Sequence, residues 1–124
     1  MLANINAVAN VAVRDLAVAR NFYEGTLGLR PVDSEGEELI VFQSGDTTIN
    51  VYRSQYAGTN QATAVTWTVP DVEGAVRELA ARGVRFEHYD MDGMTRQGDV
   101  HVAGDMKVAW FKDPDGTILN LVNR

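Results

Sequence analysis

Apolar and polar positions fall into two similar series along the chain. In the first, Leu16, Ala19, Phe22, Tyr23 and Leu27 recur at helical spacing, and in the second Val72, Ala75, Val76, Leu79 and Ala80 do the same. Each spacing predicts a helix with one buried face. Asp15 and Asp71 stand just ahead of these runs, after apolar stretches ending at Val13 and Val69. A carboxylate there accepts the free amides of the first helical turn and faces the positive end of the helix dipole, so capping accounts for both acids without further chemistry. Gly28 and Gly83 follow the helices and suit the left-handed residue that ends one.

The remaining segments alternate with period two. Residues 29–32 and 84–89 predict short strands, and residues 39–43 and 108–112 predict apolar strands ending near Phe42 and Phe111. Turns at Ser44-Gly45-Asp46 and Asp113-Pro114-Asp115-Gly116 lead into closing strands over 47–53 and 117–122. Thr48-Ile49-Asn50-Val51 and Ile118-Leu119-Asn120-Leu121 share an apolar/Asn alternation. Each half therefore reads strand, helix, strand, strand, strand, a tandem βαβββ duplication. The expected organisation is a single domain over 1–124, with module one at about 1–54, a polar linker at 55–61 and module two at about 62–124. Residues 90–105 break the symmetry: they hold Gly93, Gly98 and Gly104, lack sustained periodicity, and are far longer than their counterpart at 33–38. They are expected to form a loop that acts as a lid.

Composition narrows the chemistry. The chain has 124 residues, 45% hydrophobic and 23% charged, the balance of a soluble globular domain that needs no disulfide or metal merely to fold. With no cysteine, thiol nucleophiles, thiolate zinc sites and iron–sulfur clusters are excluded, and a reducing, cytoplasmic location is expected. The first residues, MLANINAVANVAV, lack a basic segment leading into a long apolar run, so no processing and no membrane partner are expected. The formal charge of −6, with arginines scattered along the chain, gives no concentrated positive footprint for nucleic acid.

The segments FYEGTLGL, VPDVEGAVRELAARGV and AWFKDPDGTILNLV, in this order and duplication, resemble the vicinal oxygen chelate superfamily, the glyoxalase and bleomycin resistance proteins. The resemblance covers nearly the whole chain. It implies an α+β fold in which two tandem βαβββ modules curl their sheets into half-barrels around a cleft, and it implies a homodimer. The superfamily's metal-dependent enzymes hold a divalent cation with His, Glu, His or Gln, and Glu, one from the first and one from the last strand of each module. Those positions fall here on Val8, Asn50, Ala64 and Asn120. Two apolar side chains and two amides supply neither charge nor enough donors for a transition metal. Residues 6–11 and 62–66 contain no His, Asp or Glu, so a shift of one residue restores nothing. No cofactor is expected.

Few residues remain for catalysis. His88 and His101 are the only histidines, and with Asp90, Asp99 and Asp105 their spacing is not a ligand signature. His88 is the candidate general base, with Asp90 on the same face of an extended strand to orient it. Strand alternation instead gives neutral lining: Thr48, Asn50 and Tyr52 share one face, Ala64, Thr66 and Thr68 another, and Asn10 follows Val8. Trp67 has the opposite parity to Thr66 and is expected in the core. For Trp110, parity alone leaves both faces open. Trp110, Tyr52, Tyr56, Tyr89 and Phe86 are candidate stacking walls, with adaptable Met91 and Met94.

The reading that follows is a metal-free, homodimeric binding protein that sequesters an aromatic or polycyclic natural product or antibiotic. Asn10, Thr48, Asn50, Thr66 and Asn120 would supply neutral hydrogen bonds, and Tyr52, Tyr56, Trp110 and Met94 contact area. The alternative is a lyase, isomerase or dioxygenase of the same superfamily that uses a relocated metal or a metal-free base such as His88.

Overall fold

Asp15 and Asp71 do start the two helices. In the computed structural model, which describes residues 1–124, the Asp15 carboxylate accepts from the Ala17 and Val18 amides at 2.8 and 3.2 Å, and Asp71 accepts from Gly74 at 3.0 Å. The chain divides into two units, Met1–Gly58 and Thr59–Arg124. Each carries its own sheet, helices are few, and neither sheet closes into a barrel.

Unit one comprises β1 (Ala9–Val13), α1 (Leu16–Arg20), β2 (Arg30–Glu35), β3 (Leu39–Ser44) and β4 (Thr47–Arg53). The helix runs on through a wider π-type turn over Asn21–Thr26 and stops at Gly28, whose φ of 77° is the left-handed value that glycine adopts without strain. The strands lie in the order β1-β4-β3-β2, with β1 parallel to β4 and the other pairs antiparallel. Alternation sends Val11, Val13, Ile40, Phe42, Ile49 and Val51 to the buried face, where α1 supplies Ala19 and the π-type turn Tyr23. Tyr23 meets Phe42 with ring centroids 6.0 Å apart. Side chains of this size contribute about 1.5–3 kcal/mol each when fully buried, so the apolar stripe holds the helix on the sheet.

Unit two comprises β5 (Thr63–Thr68), α2 (Val72–Ala81), β6 (Phe86–Glu87), β7 (Thr95–Gln97), β8 (Val100–Ala103), β9 (Met106–Lys112) and β10 (Ile118–Val122). Gly83, at φ 94°, closes α2 in a Schellman motif: its amide donates to Ala80 and that of Val84 to Leu79, both at 3.0 Å. The sheet order is β5-β10-β9-β8-β7, with β6 also paired to β9. Phe111, Leu119, Leu121, Val72 and Val76 are buried, and Trp67 stacks on Phe111 at 6.4 Å, the core side that its parity predicts. Lys107 of β9 ties down the first turn of α2 by donating to Glu73 at 2.5 Å. That hydrogen bond holds the Glu73 carboxyl below its ordinary range and the Lys107 ammonium above its own.

Two sequence expectations are corrected in unit two. The strand expected over 84–89 shrinks to Phe86–Glu87, and the lid expected over 90–105 is largely the β7–β8 hairpin. β6 and β8 pair with the same edge of β9, at Phe86↔Phe111 and Glu87↔Trp110 and then at His101↔Val108, whereas β2 runs along its partner in unit one as a single strand. Residues 88–99 leave that edge and return to it. Adjacent Val100 and His101 are both buried, so the hairpin carries no apolar/polar alternation to betray it. No helix is long and apolar enough to cross a membrane.

Candidate functional site

The outward face of the first sheet collects most of the polar side chains expected there. Asn10 and Asn50 are register partners on β1 and β4, and Thr48 and Tyr52 flank Asn50 on the same face. Tyr52 is exposed, whereas Tyr56 lies in the turn after β4, two thirds exposed and on no strand.

Unit two gathers its candidates around a buried aromatic residue. Trp110 pairs with Asn120, which pairs in turn with Thr66, so the three share one sheet face, opposite Phe111. Register thus decides what parity left open. Trp110 is only 8% exposed, and its indole N–H donates to Thr63 Oγ1 at 3.2 Å. Tyr89 and His101 both stand edge-on to the indole, at centroid distances of 5.3 and 4.9 Å and an interplanar angle of 81°. Such pairs contribute about 0.5–1.5 kcal/mol beyond their area, which fixes the rings relative to one another. A cavity of about 260 Å³ lies against Thr63, Tyr89, Met91, Trp110 and Ile118. A second, of about 200 Å³, shares Tyr89 and Met91 and adds Asp90, Asp92, Met94, Arg96 and His101.

Polar groups around this cluster are incompletely satisfied. The Tyr89 hydroxyl, His101 Nδ1 and Asn120 Oδ1 are buried without a hydrogen-bond partner. Each such group costs about 1–3 kcal/mol, and folded proteins carry few of them. Three of them lie around one aromatic cluster. Sequence reasoning named Asn120, Trp110 and Met94 as ligand-facing and left His101 out of that set. The one available signal was its place within the strand-like Val100-His101-Val102.

His88 is oriented differently from expectation. Its Nε2 lies 2.7 Å from Asp99 Oδ1, with both side chains about 40% exposed. Asp99, not Asp90, is the partner, because the chain leaves the strand at Glu87 and the hairpin brings Asp99 back beside His88.

A sequence model of the Glyoxalase/Bleomycin resistance protein/Dioxygenase superfamily matches residues 4–121. The chain belongs to this superfamily. Among curated protein sequences none matches it. Solved structures share the superfamily fold at low identity. A lactoylglutathione lyase from Agrobacterium tumefaciens is 16% identical with a TM-score of 0.71, over 96% of this chain and 92% of that one. A bleomycin resistance determinant encoded on transposon Tn5 is 22% identical with a TM-score of 0.69, over 96% and 97% of the two chains. A bleomycin-binding protein complexed with bleomycin is 20% identical with a TM-score of 0.71, over 96% and 98%. At these identities the likeness establishes the fold and no activity.

The residues at the positions where the resemblance puts the superfamily's metal do not fit one. Val8 and Ala64 are exposed and apolar, Asn50 and Asn120 offer only neutral amides, and no three His, Asp or Glu side chains come close enough together to hold an ion. No step of the chemistry is therefore derived through a metal at these positions.

Proposed function

We propose that this superfamily member is a metal-free small-molecule-binding protein that holds an aromatic ligand in unit two against Trp110, Tyr89 and Met91. The observation that carries the reading is the Trp110 cluster: a nearly buried indole, locked by Thr63, Tyr89 and His101, beside a cavity with apolar walls. Thr66 and Asn120 lie on the same face and supply neutral hydrogen bonds, and Met94 adapts the neighbouring cavity to ligand shape. In unit one, Asn10, Thr48, Asn50 and Tyr52 form a second ligand-facing surface of the same neutral character, with Tyr56 exposed nearby in sequence. Stacking groups and amides bind; they do not abstract protons. The biological role that fits is sequestration of an aromatic natural product or antibiotic by a cytoplasmic homodimer, and the bleomycin-binding relatives support a ligand of that kind.

Native mass spectrometry of the purified protein, followed by titration with metal-free bleomycin, tests this. A dimer without stoichiometric metal that binds the probe, and binds it at least about tenfold more weakly after Trp110→Phe, is the expected result. One divalent ion per chain, or binding indifferent to Trp110, overturns it.

One observation favours a second reading, catalysis by a metal-free base. The His88–Asp99 pair has the geometry in which a carboxylate fixes an imidazole's orientation, and His88 is accessible. Turnover of a glutathione hemithioacetal that is abolished by His88→Ala would establish it.

A further inference from the structure

We propose that Asp92 is a site of spontaneous backbone modification: its carboxyl condenses with the Gly93 backbone nitrogen to a succinimide, and reopening of that ring turns Asp92 into isoaspartate. This chemistry is independent of ligand binding.

The reaction needs an Asp whose side-chain carbon can reach the next backbone nitrogen, and a next residue with no side chain to crowd that nitrogen. Only Asp92-Gly93 and Asp115-Gly116 place glycine after Asp, and no Asn precedes glycine. The tertiary structure separates the two. At Asp115-Gly116 the Gly116 amide donates to the Asp113 carbonyl at 3.0 Å, and Asp113 Oδ1 accepts from the Asp115 and Thr117 amides at 3.0 and 2.9 Å. Asp113 is itself buried, and its amide donates to the Thr117 carbonyl at 3.0 Å. Turning the Gly116 nitrogen towards the Asp115 side chain breaks several of these bonds together.

Asp92-Gly93 carries no such restraint. Both residues are exposed, in the turn between β6 and β7. The Gly93 amide makes no hydrogen bond within the protein, and a single bond spans the turn, from the Met94 amide to the Met91 carbonyl at 3.2 Å. Nothing lies within 4 Å of where a Cβ on Gly93 would stand, so no packing holds the peptide in place.

The steps balance with water alone. The Gly93 nitrogen bonds to Asp92 Cγ, the Cγ–OH bond breaks, and that hydroxyl leaves as water with the amide proton. Water then adds to one of the two ring carbonyls. Attack at Cγ restores Asp. Attack at the main-chain carbonyl carbon leaves the backbone running through Cβ and Cγ, one methylene longer, with the former main-chain carbonyl carbon now a free carboxylate. Mass is unchanged overall, and one oxygen of the product comes from solvent. Met91, Asp92 and Met94 line the cavity of about 200 Å³, so the conversion alters that wall.

Incubating the full chain at neutral pH in 18O-labelled water, followed by tryptic digestion and mass spectrometry, tests this. Trypsin releases the two sites separately, on Phe86–Arg96 and Asp113–Arg124. In the folded protein Phe86–Arg96 should yield a second chromatographic isomer that carries 18O, at least about tenfold faster than Asp113–Arg124 does. In urea, where the bonds of Asp113 are lost, the two rates should converge. Asp92→Glu keeps a carboxylate but cannot close the same ring, and should abolish the isomer. Comparable rates at both sites in the folded protein overturn the proposal, as does an isomer without 18O. So does no isomer at Asp92 over a period in which the urea-unfolded chain forms it at both sites.

Discussion

Trp110 on β9 donates its indole N–H to the Thr63 hydroxyl on β5, although the two strands are not neighbours. β10 lies between them, so the indole bridges the strand that carries Asn120. The bond satisfies a donor that would otherwise be stranded on a residue 8% exposed, and it sets the wall of the cavity beside Met91 and Ile118.

Thr63→Val keeps the shape of the side chain and removes the acceptor. The unpaired indole N–H should cost about 1–3 kcal/mol, read as a lower urea midpoint with an unchanged slope. A midpoint equal to that of the unaltered protein would mean that the indole finds another acceptor.

Trp110 itself carries structure as well as binding. Trp110→Ala empties a packed site and should lose about 3–5 kcal/mol, whereas Trp110→Phe retains the edge-on contacts with Tyr89 and His101 at a smaller cost. Comparing the two variants by urea unfolding separates lost packing from lost recognition, and only Trp110→Phe suits binding measurements.

The helix caps can be tested singly. Asp71→Ala removes the acceptor for the Gly74 amide and should destabilise by about 1 kcal/mol. Asp71→Asn should recover most of the loss, since an amide oxygen caps nearly as well. Thermal unfolding of both variants reads the difference.

The Glu73–Lys107 bond makes stability depend on pH in a defined direction. The folded protein holds Glu73 below its ordinary range because of the Lys107 hydrogen bond, so this contribution is complete above the unfolded carboxyl value and is lost as pH falls through the lowered one. Lys107 is held above its ordinary range by Glu73, so its contribution is complete below the unfolded ammonium value and is lost as pH rises through the raised one. The stability gap between the unaltered protein and Glu73→Gln should therefore be widest at neutral pH and close at both extremes. A gap that is constant with pH would show that the pair contributes only contact.

Much of the fold was legible in the chain because it depends on short-range rules. Asp15 and Asp71 announce helices because only a short acceptor side chain reaches the free amides of a first turn. Gly28 and Gly83 announce their ends because the left-handed conformation penalises any Cβ. The period-two pattern of 47–53 and 63–68 separates Ile49, Val51 and Trp67 from Asn50 and Thr66. The site was less legible. Parity divides a strand into two faces but does not say which one meets the helix, so Trp110 remained undecided until its pairing with Asn120 was known. Residues 90–105 lacked periodicity because neighbouring Val100 and His101 are both buried.

The sequence by itself determined the duplicated βαβββ pattern and the capped helices, since each is a property of residue type and spacing. Only the tertiary structure decided that β6 and β8 share one edge of β9, that Asp99 rather than Asp90 meets His88, and that His101 lies buried beside Trp110. Those relationships join residues distant in the chain through strand register, and register is fixed by the packing of the whole sheet rather than by any local run of residues.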